Sequence, residues 1–240
     1  MHAASPRQAG AQAPLVLSCS PRHGGNCDSA AALYARTLST GADETGPQVE
    51  YLRDFAVHPC IACGLCAAQS RERLYEQAVR QTAPLFWQCP LSKNDDSAYP
   101  LKRLTLASSV CIIAPIFFYH LPAQLKALLD RLQPVWLAPA LLGTEDAAPF
   151  AHRRCRIVLI AGRPKGEQLF TGSLLSLKHA LAGLNIELEE ALLLRGLDEP
   201  DALLTDKKSV FSVEGYALGK NTDPATTAPF KNAAKQPEQL

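Results

Sequence analysis

No apolar run in this chain is long enough to cross a bilayer. Its apolar stretches, such as Val110 to Tyr119 and Ile157 to Ala161, fall far short of the roughly 20 residues a membrane helix needs. Charge of one sign is lacking too: 24 Lys and Arg face 23 Asp and Glu, and the basic residues are dispersed. That removes the concentrated positive face on which nucleic acid or an anionic membrane surface docks. The segment Met1 to Ala13 holds no apolar signal-peptide core, and Arg7 is its only Lys or Arg. The expected location is the cytoplasm. Several catalytic signatures are missing as well. No Gly-Lys-Ser/Thr closes a Walker A loop, and there is no G-x-G-x-x-G, no G-x-S-x-G elbow and no Ser-His-Asp arrangement; none of the six His residues has an evident partner. Nucleoside triphosphates, a Rossmann-bound dinucleotide and serine-hydrolase chemistry all lose ground. No internal repeat is present.

What remains is a chain of 240 residues with 47% apolar content, enough for one large α/β domain or two small ones. Leu15 to Leu17, Val49 to Leu52, Val110 to Ala114, Ile157 to Ala161 and Ile186 to Leu194 read as strands, and the continuous apolar ones suit a parallel sheet covered on both faces. Asp28 to Leu38 reads as the first crossover helix, with Asp28 a candidate N-cap. Leu125, Leu128, Leu129, Leu132 and Trp136 keep helical spacing after Pro122. Tyr99 to Ala107 is a further helix, and Arg71 to Thr82 an extra polar one. The expected organisation is a flexible N-terminus over 1–13, one α/β domain over 14–219 with a cysteine-rich insertion over 54–98, and a disordered tail over 220–240.

Eight cysteines in a chain without export signals are expected to stay reduced. Cys60, Cys63 and Cys66 form a C-x2-C-x2-C run, which Cys89, followed by Pro90, would complete. That spacing fits a [4Fe-4S] cluster. It also leaves open a four-cysteine zinc site, or thiols committed to neither. Cys111 and Cys155 lie in apolar strand-like runs and read as buried small hydrophobes. Cys19 and Cys27 flank a Gly-rich turn and read as packing residues.

That turn, Ser18 to Ser29, follows the first strand and feeds a helix, so it offers free backbone N–H groups and the positive end of a helix dipole to a phosphate. Ser20 and Ser29 add hydroxyls, Asn26 an amide and Arg22 a charge. An ordinary solvated turn would use the same residue types. A single monophosphate suits the turn, and in an open sheet of order 2-1-3-4-5 a flavin mononucleotide sits where the strand order reverses, after strands one and three. The third strand does end in Pro115, Ile116, Phe117, Phe118 and Tyr119, a loop on which a flat ring system can stack or which can fill core beneath it. Gly162 to Gly166, with Arg163 and Lys165, forms a basic loop after the fourth strand, facing the flavin edge, a nicotinamide phosphate or solvent.

Four segments in register carry a family resemblance. They are Ser20-Pro21-Arg22 with Gly25-Asn26; Pro59-Cys60 with Cys63; Cys89 ahead of Asp95-Asp96; and Pro115 to Tyr119 with Pro122 to Lys126 and Asp130-Arg131. Together they resemble the flavodoxin-like NAD(P)H-dependent FMN reductases, and the extra thiols make the chain most similar to the iron-sulfur flavoproteins. The resemblance implies a flavodoxin-like doubly wound five-stranded parallel sheet of order 2-1-3-4-5. It implies FMN, with its phosphate on Ser20, Arg22, Asn26 and Ser29 beside Gly25 and Cys27, and its ring against Pro115 to Tyr119. It further implies a [4Fe-4S] cluster on Cys60, Cys63, Cys66 and Cys89, a homodimer or homotetramer, and NAD(P)H or a ferredoxin as electron donor. A cluster-free FMN or quinone reductase and a redox-responsive or zinc-binding interaction module are the alternatives. The sequence departs from the family at Cys27, where Thr or Ser is usual, at His120, where Gly is usual, and in the 22 residues between Cys66 and Cys89.

Overall fold

The computed structural model describes residues 13–39, 46–67, 89–142, 150–220 and 227–228. The expected polar helix Arg71 to Thr82, most of the N-terminal segment and most of the tail lie outside these residues. Strands β1 (Leu15–Ser18), β2 (Val49–Tyr51), β3 (Val110–Pro115), β4 (Arg153–Ala161) and β6 (Ala191–Arg195) lie parallel in the order β2-β1-β3-β4-β6. This is the 2-1-3-4-5 order that the family resemblance implies. The fifth position is shared, because β5 (Ile186–Leu188) pairs with Arg153 to Cys155 while β6 pairs with Val158 to Ala161. The step between them falls at Glu189 and Glu190. The Glu189 carboxylate leaves the strand line to meet Arg156 at 2.7 Å, and one continuous strand over Ile186 to Leu194 gives way to two. Within the expected tail, β7 (Thr227–Ala228) adds an antiparallel edge to β6.

Alternation along the buried strands divides the core into two layers. Leu15, Leu17, Ile112, Ile157 and Leu159 face α2 (Ala98–Leu106), α3 (Ala123–Asp130), the start of α4 (Gln133–Leu142) and α5 (Thr171–Ala182). Val16, Ile113, Val158, Ile160 and Leu192 face α1 (Asn26–Leu38), α6 (Ala202–Thr205) and α7 (Lys207–Ala217). The helix expected to run through Leu125 and Trp136 is broken between α3 and α4. Arg131 and Leu132 close the break with bonds to Leu128 and Leu129 carbonyls, and Pro134, which has no N–H and disfavours helix just before itself, begins the next turn. Among the described residues, no helix is long and apolar enough to cross a membrane.

Two polar staples fix the chain around the sheet's carboxyl end. The first is Asn26, a buried residue whose amide donates to the Leu197 and Glu199 carbonyls and whose oxygen accepts from Leu203 N–H. It ties the start of α1 to the loop between β6 and α6. The second is a lock around Arg131 and Asp95. The Arg131 guanidinium donates to the Asp95 carboxylate and the His58 carbonyl at 3.1 Å each, and to the hydroxyls of Ser92 and Ser97. Asp95 also accepts from the His58 and Ser97 N–H groups and the Ser97 hydroxyl. Asp96 exchanges two bonds with Ala56, and Gln124 donates to the Leu52 and Phe55 carbonyls. The segment after β2 and the segment around a 3-10 turn at Pro90–Asn94 are thereby held to each other and to α3.

Two outcomes follow from these staples. Asn26→Ala strands two carbonyls and one N–H, and unpaired buried groups cost about 1–3 kcal/mol; a urea midpoint lowered accordingly is expected, and an unchanged midpoint would contradict the staple. Burial raises the Asp95 carboxyl, but hydrogen bonds from Ser97 and His58 and the charge of Arg131 outweigh it, so its pKa lies below the ordinary value. A depressed folded pKa means the unfolded chain binds more protons, so this stabilisation is complete above about pH 4 and is lost as pH falls through the folded value. Asp95→Asn should therefore be less stable than the parent at pH 7 and lose less on acidification from pH 4 to pH 2, as read by denaturant unfolding.

Candidate functional site

The loops after β1, β2, β3 and β4 emerge on one edge, the carboxyl ends of parallel strands, which is where open α/β sheets bind ligands. In the turn after β1, Gly24 takes a positive φ of 66° and Gly25 is the N-cap of α1. The first intrahelical bond runs from Ser29 N–H to Gly25 oxygen. The N–H groups of Asn26, Cys27 and Asp28 therefore precede the helical ladder and point outward at the positive end of the dipole. Ser20 is buried and its hydroxyl accepts from Arg22 N–H, while the Arg22 side chain is exposed. The Asn26 amide is spent on the staple to the β6–α6 loop, so Asn26 offers its main-chain N–H. Cys27 is buried, which pushes its thiol well above the ordinary range, and it offers a backbone donor in place of a hydroxyl.

Sequence reasoning missed two residues here. Asp28 stands in the first turn of α1 instead of capping it, and its carboxylate accepts from Gly24 N–H at 2.8 Å and the Ser18 hydroxyl at 2.7 Å. Arg53, just past β2, reaches over Tyr51 to bond Asp28 at 2.9 Å, the Ser20 and Arg22 carbonyls, and His23. Burial raises the Asp28 carboxyl, but these donors outweigh it and hold the pKa below the ordinary value. The turn is shaped from inside by a carboxylate, and Arg53 neutralises it while joining the turn to the segment that carries the cysteines. The sequence marks Asp28 only as a candidate cap of α1, and nothing local marks Arg53.

The loop after β3 is a tight reversal. Phe117 and His120 exchange both main-chain bonds at 2.9 Å, and between them Phe118 and Tyr119 take φ of 50° and 65°. Two successive positive φ values define a type I′ turn, which Gly or Asn normally fills. Non-glycine residues held there cost roughly 1 kcal/mol or more each. The strain projects aromatic rings outward: Phe118 is fully exposed, and Phe117 and Tyr119 are partly so. Arg163 donates to the Tyr119 hydroxyl at 3.1 Å. Ile116, Phe118, Tyr119, Gly162, Arg163 and Leu169 line a cavity of about 210 Å³. A Cβ on Gly162 would stand 2.4 Å from an Asp198 carboxylate oxygen, so a larger residue in this wall would have to displace that side chain. Pro115 ends β3 directly beneath. His120, the other departure from the family pattern, meets the Ser176 hydroxyl at 3.1 Å and packs against Gly172 of α5. A cavity of about 460 Å³ at the opposite edge, near Pro14, Ser109 and Arg154, contains none of these loop residues; its two inner guanidiniums, on Arg153 and Arg156, are already spent on main-chain carbonyls and Glu189.

The cysteine segment continues from the loop after β2. Ala62 and Gly64 take φ of 50° and 74°, coiling the run back on itself. Cys60 and Cys63 are exposed, Cys66 is half-buried and Cys89 is buried; all four are free thiols. Burial pushes the Cys66 thiol up to about 11, with Cys89, Cys63 and Cys60 adding to the rise and a side-chain hydrogen bond to Cys89 contributing. Cys66 thus stands within electrostatic reach of the other three thiols, although among the described residues no three His, Cys, Asp or Glu side chains close on a point that holds a single metal ion. The remaining cysteines are buried elsewhere: burial raises Cys111 to about 12 and lifts Cys19 and Cys155 as well, in keeping with small hydrophobes.

The chain is 29% identical over 123 residues to an iron-sulfur flavoprotein of Methanocaldococcus jannaschii, covering 50% of this chain and 52% of that protein. It is 28% identical over 115 residues to an iron-sulfur flavoprotein of Methanosarcina thermophila, covering 48% and 49%. The chain thus spans about half the length of these curated relatives. Its fold is shared by an FMN-dependent NADH-azoreductase from Bacillus anthracis in complex with FMN, with a TM-score of 0.54 at 14% identity over 87% of this chain and 99% of that one. Residues 14–187, from the start of β1 to the middle of β5, match the NADPH-dependent FMN reductase family, to which this chain belongs.

Proposed function

We propose that the chain is an FMN-dependent oxidoreductase that exchanges electrons between a [4Fe-4S] cluster, FMN and a partner or small acceptor. One observation carries the reading: four free thiols share a neighbourhood on the same sheet edge as an open helix N-terminus and a strained aromatic turn. The donor set fits both groups. Four free cysteine thiols match the ligand chemistry of an iron-sulfur cluster, and unspent first-turn N–H groups match a monophosphate. When bound, FMN supplies one- and two-electron chemistry and the cluster single-electron transfer.

The residues divide the work. Main-chain N–H groups of Gly25, Asn26 and Cys27, with the Ser20 and Ser29 hydroxyls and Arg22, hold the phosphate. Pro115, Ile116, Phe117, Phe118 and Tyr119 give the flat ring a wall, and Gly162 and Arg163 close the facing side. Cys60, Cys63, Cys66 and Cys89 hold the cluster. The exposed aromatics and the exposed Cys60 and Cys63 leave this edge accessible to NAD(P)H or a ferredoxin, and a homodimer or homotetramer would cover it.

Two measurements test the reading. After anaerobic reconstitution the parent should contain about four iron and four sulfide per chain and one FMN, and Cys89→Ala should lose more than half of that iron while retaining FMN. Flavin bands with no iron in the parent would overturn the cluster. Arg22→Gln combined with Ser20→Ala should raise the FMN Kd about tenfold, equal to about 1.4 kcal/mol, in a fluorescence titration. An unchanged Kd would remove these residues from the phosphate site.

A further inference from the structure

We infer that Arg131 is the positioning residue that assembles the cysteine site, an inference that rests on the proposed role of the four cysteines. The first three ligands are local to one loop, but 22 residues separate Cys89 from Cys66. Something outside the loop must bring it back. The Arg131 side chain is only 2% exposed and its guanidinium touches both arms of the site. On one arm it donates to the carbonyl of His58, two residues before Cys60; on the other it donates to Ser92, three residues after Cys89, and to Asp95 and Ser97. Asp95 repeats the link by accepting from His58 N–H.

A buried ion pair is an expensive way to fill space, since apolar residues of similar volume often serve stability as well or better. What the pair adds is direction. A planar guanidinium presents donors at fixed angles, so four acceptors on two separate segments are oriented at once, which a single ammonium cannot do. Arg131 Nε is buried without a partner among the described residues, so the fork is arranged around the two arms and not around its own full satisfaction. Arg131 touches no thiol in the described contacts. Its role is to set where the cysteine-bearing backbones stand.

The test uses the full FMN-bound chain, stripped of iron and kept reduced under anaerobic conditions, titrated with cobalt(II) and read by its thiolate charge-transfer absorption. Variants are Arg131→Gln, Arg131→Lys and Asp95→Asn. The control is Arg103→Gln, which breaks the half-buried Arg103–Glu50 pair at 2.6 Å between α2 and β2, away from the cysteines. Loss of an outer-shell orienting group typically weakens a metal site 10- to 100-fold. Arg131→Gln and Asp95→Asn should show a loss of about that size, with Arg131→Lys intermediate and the FMN Kd unchanged within about twofold. Arg103→Gln should lower the Tm and leave cobalt affinity at the parent value. Parent-like cobalt affinity in Arg131→Gln or in Asp95→Asn, or a loss in Arg103→Gln equal to theirs, would overturn the inference and leave the proposed function standing. Where the parent takes no cobalt, iron content after anaerobic reconstitution should rank the same variants in the same order, and a parent that also takes no iron would overturn both.

Discussion

The pairing of Arg131 with Asp95 is the constraint on which the site edge of this molecule depends. It joins three segments that the sheet does not join: the loop leaving β2, the 3-10 turn before α2, and the end of α3. Both charged side chains are almost wholly excluded from solvent. Such a pair is held by hydrogen bonds on every side, and removing either partner leaves an uncompensated buried charge. With it in place, the backbones leading to Cys60 and away from Cys89 lie side by side, as the proposed four-cysteine site requires.

A second charged contact links that object to the phosphate turn. Arg53 leaves the chain just after β2, three residues before the segment that Asp96 clamps, and spends its guanidinium on Asp28 and on carbonyls of the turn. The turn and the cysteine loop therefore stand on adjacent strands and share one side chain between them. The third loop, after β3, contributes by strain instead of charge: two aromatics in positive φ are held by a pair of main-chain bonds and by Arg163 at the Tyr119 hydroxyl. Strained backbone of this kind concentrates where a ligand is held. Each loop owes its position to the parallel sheet, and each owes its shape to a polar contact of its own.

Most of the scaffold was legible because buried parallel strands leave continuous apolar runs. Val110 to Ala114 and Ile157 to Ala161 became β3 and β4, alternation with helices made the sheet parallel, and its order was the one the family resemblance implies. The reading of one strand over Ile186 to Leu194 failed at Glu189, whose partner Arg156 is distant in sequence, and the single helix through Leu132 failed because Pro134 outweighs apolar spacing. Site residues divide in the same way. Gly25, Cys27, Phe117 to Tyr119 and the four cysteines stand in visible motifs. Asp28 and Arg53 do not, because their meaning lies in a contact across 25 residues. Asp95 and Arg131 sit within recognisable segments, yet nothing local shows that they meet. Asn26 was legible in place but not in role, since its side chain serves a loop more than 170 residues away.

The central claim is that four cysteines brought together by the fold carry an iron-sulfur cluster beside an FMN site. Anomalous diffraction at the iron edge, from crystals grown anaerobically with FMN, addresses it most directly. The account predicts one compact iron peak bounded by the sulfurs of Cys60, Cys63, Cys66 and Cys89, with flavin density running from the turn at Ser20 to the loop at Tyr119. A single zinc atom at those thiols, or an iron peak that Cys89 does not touch, would contradict it.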